Sequence, residues 1–361
     1  MSVTDLARPD IVAMKPYSSA RLEAPGRGVL LNANEAPWPL FDEDEHPLEL
    51  NRYPEPQPAA LVEGLAERYG LPADHVLVTR GSDEGIDLLT RVFCRAGRDA
   101  ILHCPPTFGM YRIAAQAQGA DVVSVPRDFE SGFSLDESGV LEAVRTDDRI
   151  RLVYLTSPNN PTGDVVDPAF LERLLTAAEG RALIIVDEAY AEFCPDDAFA
   201  GQVGRTPHLV VLRTLSKAWA GAGLRCGAVL ADPEVISLLR RIIAPYPLAT
   251  PVVSLALRGL QSDMVMRQKG LLREILRNKS RLVDLLTGRA FVRRLWPGKA
   301  NFVLVRVDDA AGLLTFCAAR GVILRGFPSD PALRDCIRIS VGSQKDLDAL
   351  EEALDAWETE L

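Results

Sequence analysis

From about residue 57 onward, two spacings of apolar residues alternate along the chain. "PAALVEGLAERYG" repeats them at the period of a helix and gives way to a short apolar run, "VLVT", at 76–79. "EGIDLLTRVFCRAG" is helical again and is followed by "AILH" at 100–103. The runs continue with "DVVSV" (121–125), "RLVYLT" (151–156), "ALIIVDEAY" (182–190) and "LVVLRTLSK" (209–217), with helix-like segments between most of them. This alternation predicts βαβ units, and such continuous Val, Ile and Leu runs suit strands covered on both faces.

The pattern changes after "IIAPYPLATP" (242–251), whose prolines break any helix running through it. Long helical segments follow, then "NFVLVRV", "GVILR" and "CIRISVG". We therefore expect an α/β chain with three parts: an arm (1–30) joining the small domain, a large domain (31–245) and a smaller α+β domain (246–361). The large domain should carry a mostly parallel central sheet flanked by helices. The polar, proline-rich region 35–58 reads as a loop, and no internal repeat or low-complexity tract is evident.

Composition narrows the classes of function. A chain of 361 residues, 47% hydrophobic and 25% charged, is long enough for a large core and a second domain. Forty Lys and Arg against fifty Asp and Glu give a net charge of -10 with no basic block, which disfavours nucleic acid and anionic membrane as partners. A small anionic ligand must then meet a local basic site. The six cysteines are scattered without a C-x-x-C pair, and the four histidines never approach them at zinc-ligand spacing, so no metal site is expected. Free buried thiols fit a reducing cytosol. The N-terminal stretch lacks the apolar core of a signal peptide, and no run of about 18 apolar residues occurs. Both point to a cytoplasmic protein.

In a doubly wound sheet, ligands bind beyond the carboxyl ends of the strands, so the polar residues where apolar runs stop carry the information. Four ends are polar here. "VLVTRGSDEGIDLL" passes from a strand through Gly81 to Ser82 and Asp83 at the start of a helix, whose first-turn amides can cradle a phosphate. "YLTSPNNPTG" ends a strand in prolines that fix the loop and leave the Asn159 and Asn160 amides at the sheet edge. "ALIIVDEAYAEF" delivers Asp187 and Glu188 from a strongly apolar strand, with Tyr190 close behind; carboxylates there are costly without a cationic partner. "RTLSKAWAGAGLRCG" brings out Thr214, Ser216 and Lys217, with Arg225 following. Together these make a phosphate cradle, an acid seeking a cation, a phenol, an amide and a lysine among hydroxyls. Pyridoxal 5′-phosphate needs this set: a lysine for its aldehyde, an aspartate for its ring nitrogen, hydroxyls and a guanidinium for its phosphate.

"SPNNPTG", "DEAYAEF" and "RTLSKAWAGAGLRCG" resemble the class I/II aminotransferases, the fold-type I pyridoxal-phosphate enzymes, and the likeness extends over nearly the whole chain. Within that family "LNANEAP", "NRYPEPQP", "TRGSDEGIDLL", "CPPTFGMY", "IAPYPLATP" and "CIRISVG" are similar to the transaminases of histidine biosynthesis. The resemblance implies amino transfer between histidinol phosphate and 2-oxoglutarate, with glutamate as the amino-acid partner, in a homodimer. It makes Lys217 the catalytic lysine, sets Asp187 on the ring nitrogen, and gives Asn160 and Tyr190 to the ring hydroxyl. Ser82, Asp83, Thr214, Ser216 and Arg225 would hold the phosphate, reached by Tyr53 from the other subunit. Phe108 stands where the family commonly has tyrosine, so ring stacking survives and a phenol hydrogen bond does not. Arg338 would grip the substrate carboxylate or phosphate, helped by Arg325 and Tyr17, and Asn34 would lie near the substrate. Next to Arg225 and a cationic ring, the charged form of Lys217 should be disfavoured. Alternatives at this stage are an aminotransferase for aromatic or other amino acids and a threonine-phosphate decarboxylase of the same fold. A nicotinamide-binding Rossmann protein is disfavoured because "GAGLRCG" follows a lysine-bearing loop rather than a bare strand-to-helix turn.

Overall fold

Six of the apolar runs become strands where the sequence marks them: β1 (Val76–Thr79), β2 (Ala100–His103), β3 (Asp121–Ser124), β4 (Ile150–Thr156), β5 (Leu183–Asp187) and β6 (Leu209–Thr214). The computed structural model describes residues 2–15, 31–40 and 48–360. A seventh strand, β7 (Gly227–Leu230), was not legible in the apolar pattern, being short and following a glycine-rich stretch. The sheet order is β1-β7-β6-β5-β4-β2-β3, with β7 antiparallel to both neighbours and the remaining pairs parallel. Gly227 permits this insertion: a Cβ there would lie 2.6 Å from the Arg213 carbonyl oxygen and 2.8 Å from the Gly81 carbonyl carbon.

Alternate residues of each central strand serve two cores. Val76, Val78, Val153, Ile184 and Val211 pack with Leu61, Val140 and Leu174 of the helices Ala59–Tyr69, Glu137–Thr146 and Pro168–Ala178. Leu77, Leu152, Ile185 and Leu212 face the other way, onto Leu89, Tyr111 and Leu239 of the helices Ser82–Phe93, Met110–Gln118 and Pro233–Leu239. The expectation of two covered faces fails only at β3, an edge strand whose residues stay partly or fully exposed. Among the described residues no helix is long and apolar enough to cross a membrane.

Beyond the proline-punctuated stretch, the helix Thr250–Leu260 returns to pack on Ala59–Tyr69, burying Ala256 in the same core as Leu61. The long helix Ser262–Leu286 then leads into an antiparallel sheet of order β10-β11-β9-β8. Its strands are β8 (Val292–Trp296), β9 (Phe302–Val307), β10 (Arg325–Gly326) and β11 (Cys336–Ser340). β8 escapes the apolar pattern because two arginines interrupt it, and "GVILR" yields only two strand residues at its end.

The two sheets meet through backbone and rings. Gly163, closing the "SPNNPTG" loop at φ +78°, lies against Gly298 so closely that a Cβ on it would stand 2.7 Å from the Gly298 Cα. The Lys299 amide donates to the Gly163 carbonyl at 2.6 Å. Phe133, fully buried, packs among Leu304, Leu333 and Cys336, its ring 5.1 Å from that of Trp296.

Candidate active site

The carboxyl ends of β4, β5 and β6 and the loop after β1 open into one cavity of about 610 Å³, closed on its far side by Arg325, Phe327, Leu333 and Arg338 of the small sheet and its loops. Fifteen residues were expected in the site, and twelve of them line this cavity. Tyr53 lies outside it, half exposed and stacked on Tyr246 with ring centroids 4.5 Å apart. Asn34 is exposed and also outside the cavity, in left-handed backbone at φ 54°, a conformation asparagine tolerates. Tyr17 lies outside the described residues.

One part of the cavity is built to hold an anion. The helix Ser82–Phe93 begins at Gly81, φ +78°, with no side chain capping its first turn, so neither Ser82 nor Asp83 takes up those amides. The Arg225 guanidinium reaches the same place. It donates to Ser216 Oγ at 3.2 Å and to Asp83 Oδ2 at 3.1 Å, and Thr214 Oγ1 donates to Ser216 Oγ at 2.9 Å. Any side chain at position 81 would collide with it: a Cβ would lie 2.8 Å from Arg225 Nη2. Uncapped amides, two hydroxyls and a guanidinium converge here without a fixed anion other than the half-exposed Asp83.

Asp187 lies beneath the cavity, 2% exposed, with Oδ2 accepting from the Tyr111 hydroxyl at 2.7 Å and Oδ1 from the Ala189 amide at 3.1 Å. Burial pushes its carboxyl up to about 6, against the pull of the Tyr111 hydrogen bond. Its neighbour Glu188 points elsewhere, pairing with Arg213 at 2.6 Å, which also holds Glu192 at 2.8 Å. Of the two carboxylates that needed a cation, Glu188 has a resident one. Asp187 has no such ion pair among the described residues, and it faces the cavity.

The small sheet contributes Arg338. From β11 its Nη1 donates to Asn160 Oδ1 at 2.6 Å, and Asn160 Nδ2 donates to the Tyr190 hydroxyl at 3.4 Å. Burial pushes the Tyr190 phenol up to about 12, so it stays neutral. Arg325 stands directly across the β10–β11 pair from Arg338, and Arg338 Nε is buried without a partner. Burial, with Arg325 adding to it, disfavours the charged form of Arg338. Two guanidiniums held side by side repel unless an anion joins them.

Lys217 Nζ stands 5.6 Å from the centre of the Tyr190 ring. Its pKa is lowered, first by loss of water and next by Arg338; Arg225 acts in the same direction more weakly, and Asp83 opposes it. The expected depression is present, but the chief cation behind it is Arg338. Phe108 meets Tyr111 edge-on at 5.7 Å and presents its ring to the cavity.

Several contributors went unread in the sequence. Tyr111, one turn beyond Phe108, gives Asp187 a hydrogen-bond donor; the phenol lost at 108 has a counterpart at 111 with a different target. Thr107, Thr156 and Asp330 also line the cavity. Tyr111 sits in the quoted "CPPTFGMY", but nothing in that stretch shows that its hydroxyl crosses to β5.

The chain belongs to the aminotransferase class I and II family, whose model matches residues 42–356, and its sheet, cavity lysine and buried aspartate fit that family. Histidinol-phosphate aminotransferase of Cronobacter sakazakii is 42% identical over 357 residues, covering 98% of this chain and 97% of that one. The same enzyme of Escherichia coli (strain SMS-3-5 / SECEC) is 41% identical, covering 99% and 98%. The crystal structure of histidinol-phosphate aminotransferase from Sinorhizobium meliloti in complex with pyridoxal-5′-phosphate superposes with a TM-score of 0.75 at 25% identity, covering 86% of this chain and 84% of that one.

Proposed function

We propose that this protein transfers an amino group between histidinol phosphate and 2-oxoglutarate, giving imidazole acetol phosphate and glutamate, with pyridoxal 5′-phosphate as its cofactor. The carrying observation is that one cavity holds two guanidinium seats on different elements, Arg225 beside the helix start and the Arg325–Arg338 pair on the small sheet, together with Lys217. A phosphorylated cofactor and a phosphorylated substrate call for two such seats.

The residues fit the cofactor. Gly81 leaves room for Arg225, and the uncapped first turn, Ser82, Thr214 and Ser216 supply donors for a phosphate. Asp187 offers a buried carboxylate to a ring nitrogen, Asn160 and Tyr190 offer donors to the ring hydroxyl, and Phe108 covers a ring face. When bound, pyridoxal phosphate supplies a reactive aldehyde and a conjugated ring that delocalises negative charge from the substrate carbon. The protein's own part is positional and acid–base. Lys217, its pKa already lowered, would take the proton from the substrate's amine-bearing carbon and return it to the cofactor's aldehyde carbon, on the other side of the amine nitrogen. Arg338 and Arg325 hold the substrate phosphate in one half-reaction and a carboxylate of glutamate in the other. Near-full-length relatives named for histidinol phosphate favour this substrate over an aromatic amino acid or threonine phosphate.

The same reading makes the protein a homodimer, in which Tyr53 of a second copy reaches the phosphate seat. The exposed Leu31, Trp38 and Leu40 on the segment before it, 78–90% exposed, support a covered surface there. The six buried free thiols support work in a reducing cytoplasm. The test is the visible spectrum of the purified protein with pyridoxal phosphate. A band that histidinol phosphate bleaches and 2-oxoglutarate restores, absent in Lys217→Ala, supports the proposal. A band indifferent to histidinol phosphate overturns the substrate, and no band at all overturns the cofactor.

A further inference from the structure

Along the floor of the cavity, hydroxyl groups form a series that runs away from Asp187. Tyr111 Oη contacts Asp187 Oδ2 at 2.7 Å and Thr156 Oγ1 at 2.8 Å; Thr156 Oγ1 contacts Thr107 Oγ1 at 3.0 Å; Thr107 Oγ1 donates to Asn159 Oδ1 at 2.8 Å. The far end is fixed as an acceptor, because the Asn159 amide nitrogen already donates to the Pro106 carbonyl at 3.0 Å and to Thr162 Oγ1 at 2.7 Å. Tyr111 is fully buried, stacked on Tyr154 at 4.6 Å, and Thr156 is 3% exposed.

Protons can be counted along this series. It has four contacts, and its three hydroxyls bring one proton each. If Asp187 is ionised, Tyr111 donates to it and Thr107 donates to Asn159. Thr156 then has one proton for two neighbours, leaving two oxygens in contact without one. If Asp187 carries a proton, it donates to Tyr111, Tyr111 to Thr156, Thr156 to Thr107 and Thr107 to Asn159. Every contact is then filled.

We propose that Tyr111 is a positioning residue for Asp187, and that the Tyr111–Thr156–Thr107 relay stores the aspartate's proton in the cofactor-free protein. When a basic ring nitrogen arrives over Asp187, the proton passes from the carboxyl to that nitrogen, and Tyr111 turns over to donate to the carboxylate while Thr107 goes on donating to Asn159. No electron moves, and the net charge of the pair is unchanged. Below about pH 6 the relay thereby tells an empty site from a filled one: a neutral acid in the first, a carboxylate opposite a cation in the second. Its functional meaning rests on the cofactor reading above.

The other titratable groups facing Asp187 are Tyr154 from β4, Asp83 from the helix Ser82–Phe93, Tyr190 after β5 and Lys217 after β6. Asp83 favours the protonated acid and Lys217 the carboxylate, and the two tyrosines stay neutral. The relay therefore acts on a carboxyl whose charged neighbours oppose one another.

The test is an infrared pH titration of the cofactor-free full-length protein, following the carbonyl stretch of a buried carboxylic acid, with Asp187→Asn identifying the band. In the wild type the band should disappear with a midpoint near pH 6. Tyr111→Phe removes the donor to the carboxylate and should raise the midpoint by about one pH unit or more. Thr156→Val leaves the Tyr111 proton without an acceptor when Asp187 is protonated, and should lower it. Thr156→Ser, which keeps the hydroxyl, should restore the wild-type value. Opposite shifts are the signature of the relay, since a packing defect has no reason to produce them. Shifts of the same sign, no shift, or no carboxylic acid band in the wild type at pH 5 would overturn the proposal. Failure of the cofactor reading registers separately, in the visible spectrum.

Discussion

Replacing Asp187 by Asn removes a buried charge while keeping the shape of the side chain, so its effect on the cofactor-free protein can be worked from the site. The carboxyl titrates near 6 in the folded chain against 3.8 in the unfolded one. Between those values the folded state holds a proton that the unfolded state has lost. The stability this confers is fully present below about 3.8 and is lost as pH rises through 6, a difference of about 3 kcal/mol at most. Asn cannot ionise, and its amide can donate to Tyr111 at every pH, as the protonated acid does. Asp187→Asn should therefore match the wild type near pH 4 and exceed it in stability by up to about 3 kcal/mol at pH 8. The assay is urea unfolding of the cofactor-free proteins at both pH values, read as the difference between variant and wild type so that other titrations cancel. Adding pyridoxal phosphate should narrow or reverse the difference at pH 8, because the wild-type carboxylate then gains a cation. A variant less stable than wild type at pH 8, or a difference that does not change with pH, would refute the reasoning.

Three other outcomes follow from contacts already described. Arg338→Lys keeps the charge but loses the planar fork and the bond to Asn160. It should raise KM for histidinol phosphate and for glutamate together, by about 10- to 100-fold, in steady-state kinetics. Gly163→Ala puts a Cβ 2.7 Å from the Gly298 Cα at a backbone angle unsuited to alanine; it should lower stability by about 1–3 kcal/mol in urea unfolding. Lys279 is buried with Nζ donating to the carbonyls of Gly298 at 2.8 Å and Ala300 at 2.6 Å, and burial brings its pKa down to about 8 from 10.5. The unfolded chain therefore holds a proton that the folded one sheds between those values, and wild-type stability should rise relative to Lys279→Met as pH climbs from 8 to 10.

The central strands were legible because β4, β5 and β6 are buried on both faces and so read as unbroken apolar runs, each stopping where the site begins. Lys217, Asp187 and Arg225 were legible as cavity-lining residues because a charge at or beyond the end of such a run must meet either another side chain, as Glu188 meets Arg213, or a ligand. β7 and β8 were not, one being four residues after a glycine-rich loop and the other carrying two arginines. The hidden part of the site is the part made by contacts between elements. That Glu188 is neutralised by Arg213, and that Tyr111 supports Asp187, depend on which side chains a fold brings together across 25 and 76 residues. Sequence spacing carries no trace of either.

The contact between Gly163 and Gly298 bears on how this scaffold can be re-engineered. Exchanging the small sheet for that of another transaminase would reshape one wall of the cavity, since Arg325, Phe327 and Arg338 come from that half. The exchange crosses a seam where two backbones touch without side chains between them, and where the Lys299 amide is bound to the Gly163 carbonyl. A donor segment with any other residue at 298 would push the "SPNNPTG" loop away, and Asn160 with it. Swapped halves are therefore compatible only when glycine is kept on both sides of the seam, so that wall of the cavity can be transplanted only together with this joint.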